Sequence, residues 1–263
     1  MADTAPSLHQ SAEVEPAIRQ LGFGDLNHAL REGWADFMAV PTQLLFLALL
    51  YPAVLFIGAH AAQGGLILPL VFPLVAGLAL MGPVLALGLY EISRRREQGL
   101  PVSWRNALDP FRSPALSGIM ALGVLLLLFF VLWIVSARAI FALTVGTLRP
   151  ESIGAFIETV QASPALWQLV IVGNLVGAMF AVVVLTLSVV SFPMLLDRNV
   201  GPLVAMRTSM QVVLRNPIVM AAWGVTVAVV LALGSLPLFV GLAVAVPVLG
   251  HATWHLYRRA VAY

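Results

Sequence analysis

The chain has 263 residues, of which 60% are hydrophobic and only 10% charged, with a formal net charge of +2. Soluble domains are about one quarter charged, so a fold that covers itself with polar side chains in water is excluded, as are a disordered chain and a collagen-like fibre. The absence of cysteine removes disulfide scaffolds, thiol catalysis, iron–sulfur clusters and Cys-zinc sites, and the small net charge, with no basic run interleaved with aromatics, gives nucleic acid no footing.

Residues 1–20 are polar, carry Asp3, Glu13 and Glu15, and hold no apolar run. They read as a disordered cytoplasmic tail rather than a signal or transit peptide. A single membrane domain over 21–263 is expected to follow. It opens on an amphipathic stretch in which Leu26, Ala29, Leu30, Gly33, Trp34, Phe37 and Met38 recur at helical spacing. Asn27, His28, Arg31, Glu32 and Asp36 lie opposite, Asp25 is placed to cap the helix, and Pro41 ends it.

Six segments approach the 20 or so apolar residues needed to cross a hydrocarbon core: 42–61, 66–91, 115–137, 166–195, 218–236 and 237–256. The fourth would measure about 45 Å as a straight helix, so a bend is expected, with Pro193 as its site. Gly234, Ser235 and Pro237 divide the fifth from the sixth and predict a tight hairpin.

The connections also carry patterns. Trp104, Ala107, Leu108 and Phe111 line one side of a short second amphipathic helix, broken by Pro110 and Pro114. A third begins at Pro202, with Leu203, Met206, Met210, Val213 and Leu214 on one side, and ends at Asn216-Pro217. A further short helix over Glu151–Gln161, striped by Ile153, Phe156, Ile157 and Val160, is expected on the periplasmic surface. The expected fold class is therefore all-α and polytopic: six transmembrane helices as three hairpins, each preceded by a cytoplasmic amphipathic helix. The units run over about 25–99, 100–199 and 200–263, and Gly-Leu-Ala-x-x-x-Pro-Val-Leu recurs at 77–85 and 241–249.

Every basic side chain is arginine. Arg19, Arg31, Arg94–Arg96, Arg105, Arg112, Arg198, Arg207, Arg215, Arg258 and Arg259 fall on one side of this topology, and Arg138 and Arg149 on the other. The positive-inside rule then makes both termini cytoplasmic, in a bacterial inner membrane.

Candidate chemistry is sparse. His251 and His255 share one helix face at i, i+4, a metal- or haem-ligand spacing. His60 lies at the opposite end of a span, about 30 Å away, so only His28 could join them. The alternative places both histidines with Trp254 and Tyr257 in an interfacial belt. Trp34, Arg94, Arg95, Arg96, Trp104, Arg258 and Arg259 are the other expected interface and topology residues. Glu91 precedes Arg94 and Arg95 at i+3 and i+4, which predicts a helix-end ion pair, and Asp197-Arg198 is read likewise. Gly173, Asn174 and Gly177 form a small-residue seam for helix packing, with Asn174 as interhelical glue. No catalytic set, metal site or cofactor is predicted.

The strings Ser191-Phe-Pro-Met-Leu-Leu-Asp197-Arg, Ala205-x-x-Thr208-Ser209, Asn216-Pro217, Trp223-Gly224 and Gly250-His-Ala-Thr-Trp-His-Leu-Tyr-Arg258 resemble those of a bacterial family of predicted integral membrane proteins, DUF2189. Gly33-Trp34-x-Asp36-Phe37 matches its opening, so the resemblance extends from about Leu21 onward. It implies a multi-pass inner-membrane protein without an assigned activity. The expected function is a non-enzymatic scaffold, assembly or lipid-interacting component, whose partners are membrane lipids and other membrane subunits or a second copy. A small-solute transporter is the alternative, and haem or metal binding at His251 and His255 a weaker one.

Overall fold

The computed structural model describes residues 16–147, 150–198, 200–237 and 239–263. Most of the predicted tail (residues 1–15) and Arg149 lie outside them. The helices are α1 (Phe23–Ala39), α2 (Gln43–Ala62), α3 (Val71–Leu78), α4 (Gly82–Leu85), α5 (Leu87–Glu97), α6 (Leu116–Thr144), α7 (Ile153–Ala162), α8 (Leu166–Ser188), α9 (Ser191–Asp197), α10 (Pro202–Arg215), α11 (Pro217–Ser235) and α12 (Leu242–Ala260). Short strands β1 (Ala17–Ile18) and β2 (Val261–Ala262) pair antiparallel.

Local chemistry accounts for most boundaries. Asp25 lies inside α1 and reaches back to accept the Gly22 N–H at 2.8 Å, so it caps from the first turn rather than from before the helix. Ser152 accepts the Ala155 N–H and starts α7. Pro202 and Pro217 occupy first-turn positions, where a missing N–H costs nothing. The prolines at 69, 73 and 83 coincide with a segmented span: 3₁₀ turns at Gly65–Leu70 and Ala79–Met81 flank α3, and Pro83 opens α4. The fourth span, for which a bend is expected, is interrupted between α8 and α9, at Val189–Val190. The Pro193 ring excludes the carbonyl four residues back, that of Val189, from the helical ladder. Gly234 and Gly241 make the predicted hairpin between α11 and α12 tight, since a Cβ on Gly241 would lie 2.7 Å from the Gly234 carbonyl oxygen.

Among the described residues four helical segments are long and apolar enough to cross a membrane: Leu68–Glu97, Leu116–Thr144, Leu166–Asp197 and Pro217–Ser235. The remaining two expected spans are present as helices, α2 with its apolar stretch Tyr51–His60 and α12 ending in Arg258 and Arg259. In the middle of the bundle Trp133 joins three elements. Its ring lies over Gly77 of α3 and beside Gly177 of α8, and its indole N–H donates to the Pro73 carbonyl at 2.8 Å.

The C-terminal ends of α5, α9 and α12 converge, because Arg258 donates to Glu97 at 2.9 Å and to Asp197 at 3.3 Å. This shared face is the arginine end of the molecule. Helix α1 runs antiparallel to the last turns of α12, from Asp25 at Arg259 to Asp36 at His251 and His255. Gly33 permits the contact, since a Cβ there would approach the Ala252 amide nitrogen to 2.6 Å.

Several expectations are corrected. Residues 17–18 are a strand paired to the C-terminal segment, with Leu21 N–H bonded to Asn216 Oδ1 at 2.7 Å, so the chain is ordered before residue 20. Helix α1 packs closely on the bundle. It buries Leu26, Ala29, Gly33, Asp36 and Phe37 against its neighbours and leaves Trp34 and Met38 exposed. Helix α10 buries its small and polar face, Ala205, Thr208, Ser209 and Val212, and turns Leu203, Met210 and Leu214 outward. The 3₁₀ segment Trp104–Arg112 behaves similarly, with Ala107 against Gly88 of α5 and Trp104, Leu108 and Phe111 facing out. Periodicity identifies a face but not which medium covers it, and in α10 and Trp104–Arg112 close packing selected small side chains.

Candidate functional site

The richest polar chemistry lies where α1, α5, α9 and α12 meet at the arginine end. Asp36 is its hub and is only 4% exposed. Its Oδ1 accepts from Arg96, and its Oδ2 accepts from Ser93 Oγ at 2.5 Å and from His255 Nε2 at 2.8 Å. Ser93 has one proton, which it gives to the carboxylate, so its oxygen accepts from His251 Nδ1 at 2.8 Å. His251 is fully buried, and its Nε2 makes no hydrogen bond among the described residues. Burial alone would raise the Asp36 pKa, but the hydrogen bonds from His255 and Ser93 and the nearby imidazoles outweigh it and hold the group below its ordinary value of 3.8.

A second cluster continues from the same turns of α12. Trp254 Nε1 donates to Glu97 at 3.0 Å, Tyr257 donates to Asp197 at 2.8 Å, and Arg258 bridges both carboxylates. Glu91 is clasped by Arg94 through two bonds of 2.8 and 2.9 Å, with Arg95 at 3.9 Å. That is the helix-end pair the spacing predicted. The Asp197–Arg198 pair is also present at 3.4 Å, although Asp197 serves Tyr257 and Arg258 as well. At the α1 terminus, Arg259 pairs with Asp25, whose pKa is lowered by the Gly22 N–H against a smaller opposing effect of burial.

Between these clusters lies a cavity of about 670 Å³. Five arginines line it, Arg19, Arg96, Arg198, Arg258 and Arg259, together with His28 and His255. Glu32, Asp36 and Glu97 are its acidic members.

The structure redistributes the residues singled out by sequence. Trp254 and Tyr257 are buried hydrogen-bond donors, not members of an exposed belt. Trp34 and Trp104 are exposed. His251 and His255 come together as expected, but the ring nitrogens that face the cluster, Nδ1 and Nε2 respectively, bond to Ser93 and Asp36. His28 is exposed on the cavity wall. Among the described residues no three His, Cys, Asp or Glu side chains are arranged to hold a metal ion. Gly177 packs against Trp133, with a Cβ position 3.1 Å from the ring, whereas Gly173 has open space around it. Asn174 is exposed and donates to Val170 of its own helix, so it is not interhelical glue. Sequence reasoning placed Asp36 on a solvated face and gave Ser93 no role. Polar residues at the ends of apolar helices were the available signal, but their partners lie far apart in the chain.

Residues 71–197 match the family described as predicted integral membrane protein (DUF2189). The protein is accordingly a multi-pass integral membrane protein. The DUF2189 match begins at α3 and ends with α9. It contains Ser93, Arg96, Glu97 and Asp197 of the site, but not Asp36 or the α12 residues. It is therefore narrower than the resemblance read from the sequence, whose C-terminal strings fall beyond it. No curated protein and no solved structure matches the chain.

Proposed function

We propose that this protein is a non-enzymatic component of a bacterial inner membrane that engages lipid and a partner subunit or second copy through outward apolar faces at its arginine end. In this reading α2 and α12 also cross the bilayer, giving six spans in three hairpins with both termini cytoplasmic. One observation carries it. The 3₁₀ segment Trp104–Arg112 and α10 pack inward by small residues and present large apolar ones outward, with Trp104 at 53% and Phe111 at 68% exposure. A segment that served only as a linker between spans would gain nothing from displaying tryptophan and phenylalanine beside arginine, whereas a membrane surface or a partner helix accepts both.

The polar residues favour a structural role for the same reason. Asp36, Glu91, Asp197, Ser93 and the two α12 histidines bond to one another or to neighbouring arginines, and these bonds fix helix ends rather than address a substrate.

The test is purification from native membranes, with quantitative mass spectrometry of co-purifying subunits and lipids. Trp104→Ser combined with Phe111→Ser should deplete those species at least severalfold while leaving the protein folded; unchanged recovery refutes the proposal. Solute-dependent flux in proteoliposomes would replace it with a small-solute permease, and a Soret band in the purified protein with a haem protein. Because the chain lacks cysteine, the single substitutions Ser103→Cys and Gln161→Cys report topology, and an impermeant maleimide should reach them from opposite sides.

A further inference from the structure

We infer that the cavity at the arginine end is a binding site for a phosphate ester of a hydroxyl-bearing alcohol, glycerol phosphate being the simplest example. This site is independent of the outward apolar faces of Trp104–Arg112 and α10. The cavity's volume of about 670 Å³ lies within the several-hundred Å³ range of small-molecule sites. Its walls are unusual in being mostly charged, which suits a polar ligand.

The charges are not all spent internally. Arg96 is committed to Asp36, Arg258 to Glu97 and Asp197, and Arg259 to Asp25. Two arginines are left. Arg19 makes no side-chain ion pair among the described residues, although β1 pairing and the Asn216 bond to its carbonyl hold its backbone in place. Arg198 reaches only an Asp197 oxygen already bonded to Tyr257 and Arg258, and its guanidinium stacks on Tyr263 at 4.3 Å. Both line the cavity with His28. Two guanidinium groups on fixed backbones make an anion site, and the planar fork of each matches phosphate oxygens.

A third group sets the rest of the ligand. Glu32 lines the same cavity and makes no ion pair among the described residues. A carboxylate beside an anion site accepts hydrogen bonds from hydroxyl groups and repels a second phosphate. The ligand is therefore a monophosphate carrying hydroxyls, whether it is the headgroup of a glycerophospholipid or a soluble ester.

The experiment uses the full chain in nanodiscs. In one arm sn-glycerol 3-phosphate is titrated into nanodiscs of neutral lipid. In the other, thermal stability is compared between neutral and phosphatidylglycerol nanodiscs. A soluble source predicts saturable binding in the first arm, and a lipid source predicts a higher Tm in the second. In either arm the effect should fall about tenfold or more in Arg19→Ala with Arg198→Gln, and persist in Arg112→Ala, which lies outside the cavity. Glu32→Gln, which breaks no ion pair seen here, should weaken glycerol phosphate while sparing inorganic phosphate. Silence in both arms, effects that survive the double substitution, or equal responses to glycerol phosphate and sulfate would each overturn the assignment.

Discussion

Asp36 holds three helices together, so its removal should release α1 from α12. The carboxylate accepts from Arg96 and Ser93 of α5 and from His255 of α12. In Asp36→Ala all three donors lose their acceptor. Breaking a buried ion pair costs about 3–5 kcal/mol, but the Arg96 side chain is about one third exposed and can rehydrate, which brings the expected loss to about 2–4 kcal/mol. At about 1.4 kcal/mol per tenfold, the undocked fraction of α1 should rise by roughly 30- to 1000-fold. The cysteine-free chain supplies the assay. Ala29 is fully buried in the α1 contact, so the thiol of Ala29→Cys reacts with a maleimide only when α1 opens, and its rate tracks the open population. Leu126→Cys, at a position buried in α6, controls for global unfolding. Asp36→Ala should accelerate the first by roughly 30-fold or more and leave the second unchanged. Acceleration of both would mean that Asp36 supports the whole bundle, and no acceleration of either would refute its role as the tie between α1 and α12.

Other substitutions test the remaining contacts. Gly33→Leu drives a side chain into the Ala252 backbone, where nothing flexible can yield; it should cost at least the upper part of the usual overpacking range, about 3 kcal/mol, and expose the Ala29→Cys thiol as Asp36→Ala does. Trp133→Phe removes the bond to Pro73 and part of the surface over Gly77 and Gly177; a loss of about 1–2 kcal/mol should appear as a lower Tm in detergent. Asn216→Ala leaves the Leu21 N–H without its acceptor and should increase amide exchange in residues 17–22 by a factor matching about 1–3 kcal/mol. Acidification tests the charge on Asp36. Its folded-state pKa lies below 3.8, so its contribution is complete above that value and is lost as pH falls through the lowered one. The protection factors of α1 amides, which correct for the intrinsic pH dependence of exchange, should therefore be flat above about pH 5 and fall below about pH 4, a dependence that Asp36→Asn should flatten.

Composition and apolar run lengths were enough to establish a polytopic helical membrane protein, because the cost of unsatisfied backbone groups in hydrocarbon leaves few alternatives. Pro193, the prolines of the second span and the Gly234–Gly241 turn were equally legible, since each acts through its own backbone geometry. The Glu91–Arg94 pair is also local, separated by one helical turn. Other features depended on residues far apart in the chain. Asp36 reads as solvated on its own helix, and becomes a buried hub only because Gly33 lets α12 approach with its two histidines while α5 supplies Ser93 and Arg96. Helical periodicity gave α10 an apolar face, but close packing against its neighbours turned the small residues inward and sent that face out. The sparse charge belongs to both accounts. Its scarcity and its bias toward one end follow from the bilayer, while the pairing of particular charges around the cavity was decided by tertiary contact, because charges leaving water need partners that only the folded chain can supply.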